Sequence, residues 1–486
     1  MNKMQPLQSS SEILASFAAD LKFKDIPAEV IAKAKQHIID SIGVGIAGST
    51  MDWCERGGRA FRHMGGPVEA TLLGQKNKIA MANAAISNGI AIAGMDLDDT
   101  DYTGGGGHMS RSVVAAALAA AESNHRTGKD LIKAVVVGYE VATRVGSSLL
   151  LDRYGPRGAL ASWGPEDHAA HNRMREQGGG VMRGYLPGLY ASAVVAGSLL
   201  GLEAKDLASA QGLVGPLGLF FGQAHREGAH AGFLHAGWSA HSGIIAALWA
   251  RDGLQGPRFV YEGDRGLLAV IGGDLQDASR LTHGLGTEWN TLNNVLKFYP
   301  AGHGTHHFIE SLNTLMNSYE FTAEDVSEIT CVAPSQRIEY HFLPKEAKLN
   351  PNVYNARFSL PYLLARLLHD RQLGPLSFTR EKITEAKVLE LASRVTYVAD
   401  ESAWFENKRG MVTVKLNDNR TLSQSTPHLL GFPERPCSHD DVINKFRVNA
   451  KLVLSGTKSL DNLVSALENL EHTEDIGNIM ALTAPS

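Results

Sequence analysis

Three cysteines are all that the 486 residues contain, and Cys54, Cys331 and Cys437 lie far apart. They offer no CxxC spacing and no disulfide framework, which argues against a thiol-held zinc site and a secreted disulfide scaffold. Buried or inert thiols are expected instead. Long apolar runs are missing as well: none reaches the roughly 18 residues that a membrane-spanning helix needs. The segment through Phe17 lacks an apolar core, so no signal peptide is expected and a cytoplasmic setting is. There is no basic excess, since 46 Lys+Arg against 51 Asp+Glu leave a net charge of −5. Without a clustered Lys/Arg face, a nucleic-acid surface is excluded. An anionic ligand must therefore be held by a few local cations and backbone N–H groups.

What is present suits a globular protein: 44% of residues are hydrophobic and 20% charged. The length calls for two or three domains. Apolar residues at helical spacing predict helices over Glu12–Asp20, Pro27–Asp40, Ile79–Ala93, Arg111–Ser123, Leu131–Leu150, Leu189–Leu200, Ala204–Leu213 and Gly237–Arg251. Ser110 is expected to cap the fourth of these. Between them, Asp152–Gly180 is polar and rich in Gly, Pro and His, and a loop of that length is usually functional or disordered. The character then changes. Val326–Ala333, Arg394–Val398 and Gly410–Leu416 are β-branched and alternating, with helical segments Thr305–Ser318, Pro361–His369 and Arg380–Leu391 among them. From Asp440 the pattern is helical again. The fold class expected is mainly α with a second α+β domain: residues 1–285 and 426–486 form a helical domain, and residues 286–425 an α+β domain.

The chemistry concentrates in Ala91–Ser110, AIAGMDLDDTDYTGGGGHMS. Asp96, Asp98, Asp99 and Asp101 stand with Thr100, Gly104–Gly107 and His108 between apolar helical sequences. Like charges in such a setting are costly unless paired, hydrogen-bonded or working. Acids near a histidine, joined by a freely turning backbone, suit proton transfer. An EF-hand is ruled out, because its sixth and twelfth positions from Asp96 are Asp101 and Gly107. The glycines lack the preceding strand and the following GK[ST] of a phosphate loop. Arg111, at the start of the next helix, is a ready anion contact.

Two further constellations stand out. In Lys297–Phe308, KFYPAGHGTHHF, the lysine can grip a carboxylate. His303, His306 and His307 have a spacing that could suit a metal, but no Glu joins them, and caps or anion contacts are the preferred reading. In Phe221–Ser242, His225, His230, His235 and His241 share no single helix face, so most are ordinary polar contacts, with one or two lining a cleft.

Together these segments resemble the MmgE/PrpD family, which includes 2-methylcitrate dehydratase, cis-aconitate decarboxylase and iminodisuccinate epimerase. The resemblance rests on the opening pattern Leu14–Gly48, on NGIAIAGMDLDDT before a histidine, on LHAGWSAHSG, on KFYP…TH, on RFSLPY at Arg357–Tyr362, and on GFPERP…KF at Gly431–Phe446. It implies a large helical domain built from both chain ends, a smaller α+β lid, a homodimer, no required cofactor or metal, and small di- or tricarboxylate substrates. Asp96, Thr100, His108 and Lys297 then match the family's catalytic positions, and His235 a substrate-binding one. Arg111 and His303 join as carboxylate contacts.

Two positions depart. Leu186 stands where the family usually has a histidine, and Gly232 where it usually has a basic residue. Neither can move a proton or bind a carboxylate. His168 and His171, in the long polar segment, are the candidates to compensate. The expected mechanism makes His108 the proton-transfer residue, oriented by Asp96 or sharing its proton. Thr100 holds substrate or a leaving hydroxyl, and Lys297 and Arg111 neutralise carboxylate charge. The same groups serve a dehydratase or decarboxylase, an epimerase or isomerase, or a relative altered to bind without turnover.

Overall fold

Alanine-rich sequence makes thin helices, and thin helices can be buried on every side. The computed structural model describes residues 8–101, 107–149, 181–227, 229–272, 276–333, 352–400 and 409–485. Its longer helices before residue 260 are α1 (Ser10–Asp20), α2 (Ala28–Gly48), α3 (Asp52–His63), α4 (Met81–Ala93), α5 (Ser110–Ser123), α6 (Gly128–Ser148), α7 (Leu186–Leu200), α8 (Ala204–Val214) and α9 (Ala231–Arg251). Every residue of α4 is buried, and every residue of α5 except Ser123. These two lie at the centre, with α5 against α4, α6, α7 and α9, and α9 across α4 and α7. Capping boxes start α1 at Ser9–Glu12 and α6 at Thr127–Asp130, each satisfying backbone N–H groups that the helix leaves open.

Among the described residues, four short strands lie before residue 300. β1 (Ala70–Thr71) pairs with β2 (Lys78–Ile79), and β3 (Asp99–Asp101) with β4 (Asn294–Leu296), both antiparallel. Beyond them the helices α10 (His306–Ser318) and α11 (Leu360–Asp370) pack with a four-stranded mixed sheet. Its order is β6 (Val395–Ala399), β5 (Val326–Ala333), β7 (Val412–Leu416), β8 (Thr421–Gln424). β6 runs parallel to β5, and the other neighbours are antiparallel. The chain is thus mainly helical, with one small mixed sheet in its C-terminal region.

Apolar side chains from Leu14 to Leu296 share one core with side chains from Val442 to Met480. The C-terminal helices α12 (His439–Ala450) and α13 (Thr457–Glu468) thereby return to the first helices, α12 packing along α2. A separate core gathers Ala301 to Leu422 around the four-stranded sheet. Among the described residues, no helix is long and apolar enough to cross a membrane.

Several local expectations change. α2 does not stop at Asp40 but runs on through the glycine-rich SIGVGIAG to Gly48. The glycines are there for approach: a Cβ on Gly48 would lie 1.9 Å from the Ala91 carbonyl oxygen of α4. α3 adds a helix to those expected: DWCERGGRAFRH is polar on average, holds two adjacent glycines and has no apolar run. Ser110 is the first residue of α5 and not its cap; Met109 holds the cap position without a side-chain bond. His168, His171 and Gly104–Gly106 lie outside the described residues.

Gly48→Ala is expected to cost about 1–3 kcal/mol, because α2 and α4 must separate to admit the methyl group. Urea unfolding measures it, and a loss below about 0.5 kcal/mol, the scale of a neutral surface change, contradicts the close approach.

Candidate active site

α4 ends at Ala93, and the chain then turns sharply, with Asp96 at φ 51°. Positive φ is uncommon outside glycine, and aspartate is among the few residues that adopt it readily. The turn delivers Asp98 and then β3. Pairing of Asp99 with Leu296 sets the register with β4, and the Lys297 N–H donates to the Asp98 carbonyl at 3.0 Å. A short ladder therefore joins segments about two hundred positions apart and places the lysine opposite the acids.

The Lys297 ammonium is fully buried. Its Nζ lies 2.8 Å from Asp96 Oδ1, 3.2 Å from the Asp96 carbonyl and 3.5 Å from Asp98 Oδ1. Asp98 is held on its other side by the fork of Arg111, with Nε donating to Oδ2 at 2.6 Å and Nη2 to Oδ1 at 2.9 Å. Burial works against ionisation of Asp98, but the charges of Arg111 and then Lys297 outweigh it and hold the carboxyl well below the usual range. Arg111 Nη2 also approaches Asp96 Oδ1 at 3.5 Å. The remaining oxygen, Asp96 Oδ2, is buried and meets no donor among the described residues.

Asp99 is treated differently. Burial, then the charge of Asp98, push its pKa up. Its carboxylate accepts the Ser110 N–H at 3.1 Å, the Ser110 hydroxyl at 2.9 Å and the Tyr139 hydroxyl at 2.5 Å. These bonds anchor the peptide whose carbonyl faces His108. The His108 Nδ1 sits 2.5 Å from the Asp99 carbonyl oxygen. A carbonyl only accepts, so Nδ1 carries the proton, and in the neutral ring Nε2 keeps the lone pair. Thr100 Oγ1 is 3.4 Å from the same Nδ1, and Asp98 Oδ2 is 3.9 Å away. Burial, then the positive charges of Arg111 and Lys297, lower the pKa of His108 well below its ordinary value. With 28% of its side chain exposed, the ring stays open to a ligand.

The expected bond from Asp96 to His108 is not formed. Asp96 is turned to Lys297, and the Asp99 carbonyl orients the imidazole in its place. The Arg111 fork, expected to face an anion, is engaged by Asp98. Asp96, Asp98, Thr100, His108, Arg111 and Lys297 thus form one cluster. His303 borders it: burial, then the charges of its neighbours His306, Lys297, His307 and His108, keep its pKa low. His235 stands apart, its ring 5.1 Å from Tyr185 and 5.3 Å from Phe220. His306 and His307 donate to the carbonyls of Ala301 and Thr426. Among the described residues, no group of three or more His, Cys, Asp or Glu side chains is arranged to hold a metal ion.

Other contributors were not singled out as site residues from the sequence. Tyr139 was visible only as a polar residue on a buried helix. Lys445 was visible only inside the GFPERP…KF pattern. Its Nζ donates to the Leu97 carbonyl at 2.8 Å and lies 2.6 Å from Asp40 Oδ1. Burial raises Asp40 to about 6 against the pull of Lys445.

The MmgE/PrpD N-terminal domain model matches residues 12–278, and the MmgE/PrpD C-terminal domain model residues 299–469. The chain belongs to the MmgE/PrpD family. Relatives within it are distant but align end to end. A cis-aconitate decarboxylase-like protein, oryM, of Aspergillus oryzae is 27% identical, covering 96% of each chain. A cis-aconitate decarboxylase of Aspergillus terreus is 26% identical over 95% of this chain and 93% of its own. The cis-aconitate decarboxylase of Homo sapiens is 25% identical over 98% of this chain and 95% of its own. Against the MmgE/PrpD pattern, Leu186 opens α7 with its side chain in the main core, 3% exposed. Gly232 is buried near the start of α9 and accepts the Tyr185 hydroxyl at 3.4 Å. Tyr185 lies close enough to Arg111 for the two to interact electrostatically.

Lys297→Met leaves Asp96 without its nearest cation. A stability loss of about 3–5 kcal/mol is expected at pH 7. Urea unfolding measures this, and a loss below about 0.5 kcal/mol would contradict the pairing.

Proposed function

We propose that this chain is a lyase that acts on a small di- or tricarboxylate by proton transfer through His108, with no cofactor assigned a step. Cis-aconitate, the compound named for several relatives, is the first substrate to test. The observation that carries the reading is the fixed tautomer of His108, which keeps the Nε2 lone pair free of the proton while the ring stands beside an interlocked set of two carboxylates and two cations.

In a decarboxylation, the carbon–carbon bond to the departing CO₂ breaks and its electron pair stays on the substrate, spread onto a neighbouring carboxylate. The charge of Lys297 and Arg111 lowers the cost of that anion. The free imidazole is neutral, but an incoming polyanion raises its proton affinity. It then takes a proton from solvent at Nε2 and delivers it to carbon. In a dehydration, the neutral imidazole removes the α-proton, Thr100 holds the departing hydroxyl, and the imidazolium returns the proton to it so that water leaves. Asp96 fixes Lys297, and His303 lines the same space as a substrate contact.

A second reading, a relative that binds carboxylates without turning them over, is favoured by Leu186, whose burial leaves no polar group at that position. A dicarboxylate epimerase or isomerase on the same scaffold is the third. It removes and returns a proton at one carbon without losing CO₂ or water. Proton NMR in D₂O separates them: a lyase consumes its substrate, an epimerase exchanges the α-hydrogen, and a binder does neither.

His108→Ala is expected to lower turnover at least ~10²-fold, the usual worth of general acid–base help; a tenfold effect reassigns the role. The pH profile distinguishes the chemistry. If protonated His108 is needed, kcat/KM falls as pH rises, with its midpoint below the ordinary histidine value of ~6.5. If neutral His108 removes a proton, activity is instead lost as pH falls through that same region.

A further inference from the structure

A third buried cation reaches the acidic turn, after Lys297 and Arg111. Arg357, in the RFSLPY segment just before α11, is fully buried. Its Nη1 donates to the Met95 carbonyl at 2.5 Å, one residue before Asp96 with its positive φ. The same nitrogen lies 3.5 Å from the Pro300 carbonyl. Its own carbonyl accepts the Gly302 N–H at 2.9 Å, where the chain turns into the His303–Thr305 segment. The guanidinium carbon stands 4.5 Å over the ring of Phe378, a member of the second core.

We propose that Arg357 is a positioning residue that holds the Met95–Asp96 turn, and with it the Asp96 carboxylate, in register with Lys297 and His303 across the junction of the two cores. The inference rests on the reading of Asp96, His108 and Lys297 as the reacting cluster.

Three observations carry it. The side chain touches the segment bearing Asp96, the segment leading from Lys297 to His303, and the core around the sheet. No carboxylate forms an ion pair with it among the described residues, and its Nε and Nη2 meet no acceptor there. A buried cation so placed is a cost that packing alone would avoid. Finally, burial lowers its pKa to about 10, partly offset by the charge of Asp96, so it remains charged at neutral pH. Around Asp96, three cations (Lys297, Arg111 and Arg357) then face two firmly placed carboxylates (Asp96 and Asp98). The residual positive charge favours an anionic substrate.

A lysine cannot reproduce a fork that also stacks on a ring. Arg357→Lys and Arg357→Met are compared with the wild type by hydrogen exchange of the peptide spanning residues 94–101 and by turnover of cis-aconitate. Exchange in that peptide is expected to speed at least ~10-fold in both variants, while peptides from α6 and α7 stay protected. Displacements of about 1 Å can cost ~10²-fold in rate, so kcat is expected to fall by that order with KM changed less than ~3-fold. The Lys variant keeps the charge and decides the matter if the Met variant does not fold. Unchanged exchange at residues 94–101 in the Lys variant overturns the proposal. So does a loss of protection spread evenly through α6 and α7, the mark of a merely structural residue. If the wild type consumes no cis-aconitate, the functional reading falls, and the exchange measurement still decides the role of Arg357.

Discussion

A lysine ammonium with no exposure must find anions or neutralise. Lys297 finds two carboxylates and a carbonyl, and much of the neighbouring geometry follows from that requirement. The acids can reach it because the backbone turns through positive φ at Asp96. The lysine reaches them because β4 pairs with β3 in a register that ends at its own N–H. Arg111 and Arg357 then brace the turn at two points, one through Asp98 and the other through the Met95 carbonyl.

The three acids Asp96, Asp98 and Asp99 coexist because the fold gives each a different environment. Asp98 is clamped by a guanidinium fork and is strongly ionised. Asp99, one residue on, sits among hydroxyl and N–H donors with a raised pKa. Asp96 has one oxygen on the lysine and the other unpaired among the described residues. Adjacent groups with divergent proton affinities are what acid–base chemistry draws on. Behind them, Tyr139 and Ser110 hold the Asp99 carboxylate and so steady the carbonyl that fixes the tautomer of His108. The orientation of the imidazole is therefore settled by a backbone oxygen and not by a carboxylate.

Family membership narrows the chemistry without fixing the substrate. At 25–27% identity the named relatives share the whole length of the chain, but specificity lies in individual side chains. Leu186 offers an apolar side chain and Gly232 none. Leu186 is packed inward, so it offers no substitute contact. Tyr185, its neighbour, lies near Arg111 and touches both His235 and the Gly232 carbonyl.

The sequence alone determined the helical character, the strand-rich change after residue 320, and the charged residues that the fold gathers into one cluster. These are local signals: apolar spacing, β-branched alternation, and charge density between apolar flanks. Asp96, Thr100, His108, Arg111 and Lys297 were legible because few positions combine charge with so apolar a setting. What each touches was not legible. Asp96 bonds Lys297 and not His108, a carbonyl orients the imidazole, and Tyr139, Lys445 and Arg357 reach in from segments to which no site role was assigned. The carbonyl–imidazole contact spans nine positions, and the others join residues from 40 to 348 positions apart, with no spacing to betray them. Only the tertiary structure decided them, because a buried charge takes the partner that the fold places beside it.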